Sequence, residues 1–205
     1  MDDALRHLST NDPVLARLID LYPAPSFERH TNYYQELVDS IISQQLSVKA
    51  ARAIETRFKD IYAGRFPAPE EILSTDIETL RGAGLSRPKA RYIQDLAQKI
   101  LDGDLRFDTI DTLSNEDIVV ELTKVKGIGE WTVHMFLMFC MARLDVLPVG
   151  DLGIRNGVTQ LYGFEYQASP DDVRSIAKKN NWRPYESVAS WYMWQSLENV
   201  PATSS

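Results

Sequence analysis

The chain has 205 residues, 44% of them hydrophobic and 25% charged, with a formal net charge of −7. That length suits one domain or two small lobes sharing a core, and the acidic balance argues against holding nucleic acid by bulk electrostatics. The single cysteine, Cys140, excludes an internal disulfide and any four-cysteine zinc or iron–sulfur site within the chain.

The N-terminus, M-D-D-A-L-R-H, lacks a basic region followed by an apolar core, and no apolar run reaches the length of a membrane span. An intracellular protein with no membrane anchor is therefore expected. A first helix is expected over residues 11–22, with Asn11 or Asp12 as cap and Pro13 in its first turn. Tyr34, Leu37, Val38, Ile41 and Ile42 then form one helical face. That face ends in S-Q-Q-L-S at 43–47, and the next helix turns Val48, Ala51, Ile54 and Phe58 inward. Residues 70–80 read as two short helical turns. L-R-G-A-G-L-S-R-P-K-A at 80–90 places a glycine pair directly before a helix that carries Ile93, Leu96, Ala97, Ile100 and Leu101 on one side.

Residues 103–112 have no clear period and read as a linker. Ser114 and Asp117 form a carboxylate variant of the capping box for the next helix. L-T-K-V-K-G-I-G-E-W-T-V at 122–133 breaks one helical pattern and starts another. Glycine takes positive φ without penalty and lets another backbone approach closely. The unpaired N–H groups of the following helix can then receive an anion such as phosphate. An ordinary turn between two helices accounts for the same glycines. Residues 130–142 are apolar nearly all round and are expected to form a buried central helix, with Cys140 as a core residue. A rigid turn, V-L-P-V-G, then delivers Asp151 to the head of a helix that runs to Leu161. Its carboxylate can accept backbone N–H bonds there, as a simple cap or as a reactive group. Ser169 caps another helix, and Pro184 opens the last.

No alternating strand pattern longer than a few residues occurs, so the fold class is all-α. The expected form is a single domain, 1–205, of two helical lobes with a cleft between them. Lobe one spans roughly 30–112, and lobe two comprises 1–29 with 113–205.

The hairpin at 122–133 followed by L-P-V-G-D-L-G-I-R resembles the helix-hairpin-helix DNA glycosylases, and within them the 3-methyladenine DNA glycosylase II type. I-I-S-Q-Q-L-S-V-K-A-A, G-L-S-R-P-K-A and W-R-P-Y-E-S-V-A-S-W are similar to further blocks of that family, so the resemblance runs from about residue 33 onward. It implies that Asp151 is the catalytic carboxylate and that Gly127, Ile128 and Gly129 grip a DNA phosphate. It further implies a monovalent cation, Na+ or K+, on the carbonyls of Thr123, Val125 and Ile128, with no other cofactor required. Gln45 matches the wedge that fills the gap left by an extruded base, and Leu46 competes for that role. Gly84, Ser86 and Lys89 form a second candidate DNA contact, for which a plain interhelical turn is the alternative. Lys49 and Arg91 are further candidates that a solvated helix face explains equally well.

Trp131 lies where bifunctional relatives carry a Schiff-base lysine, which implies a monofunctional enzyme. Trp131 and Tyr185 are the base-pocket candidates, with Trp182 behind them. Met135 stands where the type protein has a pocket tyrosine, and Trp191 and Trp194 read as core. The chain has no room for the extra N-terminal β-rich domain of the bacterial type protein. The resemblance thus implies a monomeric enzyme in the bacterial cytoplasm or eukaryotic nucleus. It would act on double-stranded DNA in base excision repair, flipping out and hydrolysing alkylated purines. The alternatives are a non-catalytic lesion-binding module and a glycosylase for deaminated bases such as hypoxanthine or uracil.

Overall fold

A computed structural model describes residues 1–198. The described residues form twelve α-helices and one short 3-10 turn, with no strand. The first six helices are α1 (Asp2–Asn11), α2 (Pro13–Leu21), α3 (Tyr33–Ser43), α4 (Val48–Asp60), α5 (Pro69–Ser74) and α6 (Ile77–Gly82). The others are α7 (Arg87–Leu101), α8 (Asn115–Leu122), α9 (Glu130–Phe139), α10 (Leu152–Leu161), α11 (Pro170–Lys179) and α12 (Glu186–Glu198). The all-α expectation holds. Helix α1 was not anticipated, because its two buried apolar residues, Ala4 and Leu8, leave little period to read. The 3-10 turn, Ile110–Thr112, lies within the stretch read as a linker.

The described residues divide into two compact units, one of residues 1–29 and 137–198, the other His30–Phe136. The division falls inside α9. Residues 113–136, expected to join the lobe that holds the termini, belong instead with 30–112. The physical reason is that the hairpin turn is bonded to α7 through Asp95 and to the C-cap of α3 through Gln44.

In the unit that holds the N-terminus, α12 packs on α1, α2 and α10. Leu8, Leu15, Ile154, Val158, Val188 and Met193 fill its core. A Cβ at Gly157 would lie 3.0 Å from the Met193 carbonyl oxygen, so this glycine lets the backbones of α10 and α12 approach closely. Asp12 ends α1 and caps α2. Its Oδ1 accepts from Val14 N (2.9 Å) and Leu15 N (3.2 Å), and its Oδ2 from the Tyr162 hydroxyl (2.6 Å) and Trp182 Nε1 (2.8 Å). Asp12 and Trp182 are fully buried, so Trp182 is a core residue and no part of a base pocket.

In the His30–Phe136 unit, α3 packs on α4 and α7, and α7 also receives α5 and α6. Leu37, Val38, Ile41 and Ile42 of α3 are all buried, as the i, i+3, i+4 pattern requires. The two short turns expected over 70–80 are α5 and α6, separated at Thr75 and Asp76. Helix α9 stops at Phe139 rather than Ala142, whose φ of 56° breaks the helix. Although α9 is apolar nearly all round, it is not buried throughout as expected, since Trp131 is 54% and Phe139 42% exposed.

Candidate active site and nucleic-acid interface

Asp151 is the N-cap of α10, with extended backbone and its own N–H donated to Pro148 O at 2.9 Å. Ser187, at the start of α12, holds the approach to it. The buried Ser187 hydroxyl donates to Arg143 O (2.7 Å) and accepts from Val146 N (3.1 Å), and the Ser187 N–H donates to Leu144 O (2.9 Å). The Asp151 Oδ1 accepts from Ile154 N at 2.9 Å and from the indole Nε1 of Trp194 at 2.8 Å. Charge-assisted bonds of this kind are about twice as strong as neutral ones, so the carboxylate is held in one orientation by two unlike donors.

Trp194 was read as core, because a tryptophan at helical spacing among apolar neighbours gives no sign of a partner 43 residues upstream. One sequence signal existed. Gly153 sits in the first turn of α10, and a Cβ there would lie 2.8 Å from Trp194 Cδ1 and 3.1 Å from Asp151 Oδ1. The second glycine of V-G-D-L-G-I-R therefore leaves room for an indole against the carboxylate. Phe139 lies beside Trp194, ring centroids 6.0 Å apart, and Phe27 lies 5.7 Å beyond Phe139. Neither phenylalanine was anticipated as part of the site.

The hairpin belongs to the His30–Phe136 unit. Ile128 is buried, anchoring a turn whose flanking Gly127 and Gly129 are exposed. Gly127 has φ of 83°, and a Cβ on it would fall 2.1 Å from the ring of Tyr92. Both the dihedral and the contact therefore require glycine. The N–H groups of Gly127 and Gly129 find no acceptor among the described residues, as an anion-receiving turn demands. The carbonyls of Thr123 and Ile128 likewise accept no hydrogen bond from the described backbone, whereas that of Val125 is shared with Ile128 N (3.1 Å). Oxygen atoms with spare lone pairs on one short turn fit a hard monovalent cation. Among the described residues, no group of His, Cys, Asp and Glu side chains is placed to hold a metal.

Residues 43–46 form a tight turn, closed by Leu46 N donating to Ser43 O at 3.0 Å. Gln44 has φ −47° and ψ 126°, and Gln45 has φ 57°, the dihedrals of a type II turn that ordinarily takes glycine at its third position. A left-handed glutamine costs about 1 kcal/mol or more, and the turn places exposed Gln45 at its tip with Leu46, 39% exposed, beside it. The second glycine turn is bound from within. Arg57 Nε donates to Ala83 O at 2.8 Å, and a Cβ at Gly84 would meet the Arg57 guanidinium at 2.8 Å. Exposed Ser86 caps α7 through Lys89 N at 3.4 Å. The Lys89 ammonium donates to Ile42 O (2.8 Å) and Gln44 O (2.6 Å), and burial holds its pKa below the usual lysine value. Two of its hydrogen bonds thus go to protein carbonyls.

Trp131 and Met135 stand one turn apart on α9, the first exposed and the second half-buried. Tyr185, in the other unit, is half-buried and meets His7 edge-on at 5.3 Å.

Residues 38–183 match the HhH-GPD superfamily of base excision DNA repair proteins, and the chain belongs to this family. Its relatives include DNA-3-methyladenine glycosylase 1 of Schizosaccharomyces pombe, 38% identical over 196 residues that cover 93% of this chain and 85% of that protein. Among solved structures, the Schizosaccharomyces pombe 3-methyladenine DNA glycosylase Mag1 in complex with abasic DNA is 36% identical. It aligns with a TM-score of 0.80, covering 96% of this chain and 97% of that one. A DNA-3-methyladenine glycosidase from Bacillus halodurans is 35% identical, with a TM-score of 0.86 over 96% of this chain and 89% of that one.

Proposed function

We propose that this protein is a monofunctional DNA glycosylase that excises alkylated purines, of the 3-methyladenine and 7-methylguanine type, from double-stranded DNA. The observation that carries the reading is Asp151, capped by Ile154 N–H and clasped by the Trp194 indole, in a chain of the base-excision family.

The chemistry follows from the groups in place. A base within the duplex must first be extruded, at a cost of a few kcal/mol that is lower for weakened pairs. The tip at Gln45, with Leu46 beside it, would fill the vacated stack. The N–H groups at Gly127 and Gly129 would hold a backbone phosphate without any positive side chain, which suits a chain of net charge −7. A cation on the Thr123, Val125 and Ile128 carbonyls would add positive charge at that turn. Gly84 and Ser86, at the head of α7, provide a second turn for the DNA backbone.

Alkylation at purine N3 or N7 makes the base cationic. When the C1′–N bond breaks, its electron pair neutralises the departing base, so no strong general acid is needed. Positive charge develops on the sugar, and the Asp151 carboxylate stabilises it. The carboxylate then takes the proton from the water whose oxygen bonds to C1′. Trp131, Tyr185 and Met135 are the pocket candidates from sequence; Phe139, next to Trp194 in the unit that carries Asp151, and Phe27 beyond it are further aromatic candidates. An aromatic face attracts a cationic base by about 0.5–2 kcal/mol. Trp131 offers no amine for a Schiff base, so the strand stays intact after base release. Among the described residues no helix is long and apolar enough to cross a membrane, and we place the monomeric protein with the genome, inside the cell.

The test is release of free base from methylated duplex DNA by the purified chain, run against a lesion panel. Release of methylated purines with the strand intact until alkali is the expected result. Lesion binding without release identifies a non-catalytic module. Release confined to hypoxanthine or uracil reassigns the substrate, and strand cleavage without alkali contradicts the monofunctional assignment.

A further inference from the structure

The turn at 43–46 and the hairpin turn at 126–129 are far apart in sequence, yet hydrogen bonds join them. Gln44 Nε2 donates to Gly127 O at 2.9 Å, while the Gln44 carbonyl accepts from the Lys89 ammonium at 2.6 Å. Lys89 also takes up the Ile42 carbonyl, one of the last in α3 and otherwise without an intrahelical partner. Three residues further along α7, the Tyr92 ring lies where a Cβ of Gly127 would be. Three further again, Asp95 accepts from Lys126 N at 2.9 Å and pairs with the Lys126 ammonium at 3.2 Å. Lys89, Tyr92 and Asp95 stand at i, i+3 and i+6, one stripe of a single helix.

We propose that α7 is a rail which fixes the spacing between the base-displacing turn and the phosphate-gripping turn, with Gln44 as the direct link between them. Gln44 and Lys89 are positioning residues in this scheme. Gln45 meets the DNA, and its neighbour Gln44 faces inward to hold the tip. The left-handed Gln45 is maintained because bonds on both sides of Gln44 leave the turn no relaxed alternative. When a phosphate occupies the hairpin, the tip is already at the height where it enters the stack. Reaching the two contacts at once then requires no further ordering of the protein. Neither position carries a sequence signal for this, since glutamine in a polar loop and lysine on a helix surface both read as solvated.

The inference rests on the roles proposed above for the two turns, and its test is independent of base release. Full-length protein is titrated into duplexes containing a tetrahydrofuran abasic analogue with 2-aminopurine opposite or adjacent, and both affinity and unstacking are read. Gln44→Ala is expected to reduce the 2-aminopurine signal at saturation several-fold, and Gln44→Glu, which sets an acceptor against Gly127 O, to reduce it further. Both should act less on a mispaired site, where the duplex is already weakened. Lys89→Met is expected to lower unstacking while leaving the dependence of affinity on salt unchanged, and Lys89→Arg to restore part of the signal. A phosphate contact at Lys89 would instead reduce the log–log salt slope by about 0.9. That result, or undiminished unstacking by both Gln44 variants, overturns the rail. Normal unstacking by the wild-type chain without base release would count against the glycosylase reading alone. Thermal unfolding of each variant checks that it folds. Gln44 lies in an exposed turn, so its variants keep the test decisive should Lys89→Met unfold.

Discussion

Asp12 and Asp151 are built to one plan and differ in burial. Each caps a helix, and each accepts an indole Nε1–H at 2.8 Å, from Trp182 and Trp194 respectively. Asp12 is fully buried and takes two backbone N–H bonds and a tyrosine hydroxyl besides. Asp151 is half-buried, and Gly153 beside it keeps the indole against the carboxylate. The same device, closed over, is a structural knot; left accessible, it would hold a carboxylate still for the chemistry proposed above. What the two share is an indole and a backbone N–H at the head of a helix, and what separates them is burial.

The largest effect should come from opening the closed copy. Asp12→Ala strips the partners from two buried donors and a helix N-terminus, and is expected to cost about 3–5 kcal/mol in urea unfolding. Base release by the fraction that remains folded should be unchanged. A loss below 1 kcal/mol would show that Asp12 is not the knot.

Weakening the accessible copy should do the reverse. Trp194→Phe keeps the packing but removes a donor to a charged group, worth about 1.5–3 kcal/mol. Base release should fall roughly 10–100-fold, in kcat rather than KM, while the thermal midpoint moves little. Gly153→Ala removes no polar group but presses on the indole and, less closely, on the Asp151 carboxylate, so a smaller fall of about threefold to tenfold is expected. If Gly153→Ala exceeds Trp194→Phe, the glycine serves something other than the indole.

Asp39 supplies the third case, a buried carboxyl with too few partners. Its Oδ1 is buried with no hydrogen-bond partner among the described residues, and Gln35 reaches Oδ2 only at 3.4 Å. Desolvation first, then the nearby Glu55, push its pKa up to about 6. The folded state therefore holds its proton more tightly than the unfolded chain. Stability from this group is complete below about pH 4 and is lost as the pH rises through about 6. Asp39→Asn should raise stability by about 1 kcal/mol at pH 8, an effect discounted for partial solvent access. The gain should shrink toward pH 4, and a gain independent of pH would assign it to packing instead.

Much of this was legible in the sequence. The periodicity of 34–42, the glycines at 127 and 129 and the cap at Asp151 each depend on neighbours within a few residues, so local pattern reveals them. Trp194, Phe139 and Gln44 were not legible, because each acts through a partner 43 residues or more away, or through ring contacts. A side chain's type does not encode which distant atom it meets. Residues 113–136 were assigned to the wrong lobe for the same reason, since the bonds that place the hairpin come from Gln44 and Asp95. Lys89 looked like a surface cation because its acceptors are main-chain carbonyls, which no side-chain pattern announces.

The most direct test of the account is Asp151→Asn, measured on methylated duplex DNA. Asparagine caps a helix as well as aspartate does, so folding and affinity for an abasic-site analogue should persist. Without the negative charge, base release should fall by about 100-fold or more. Base release at the wild-type rate would contradict the assignment of Asp151 as the catalytic carboxylate.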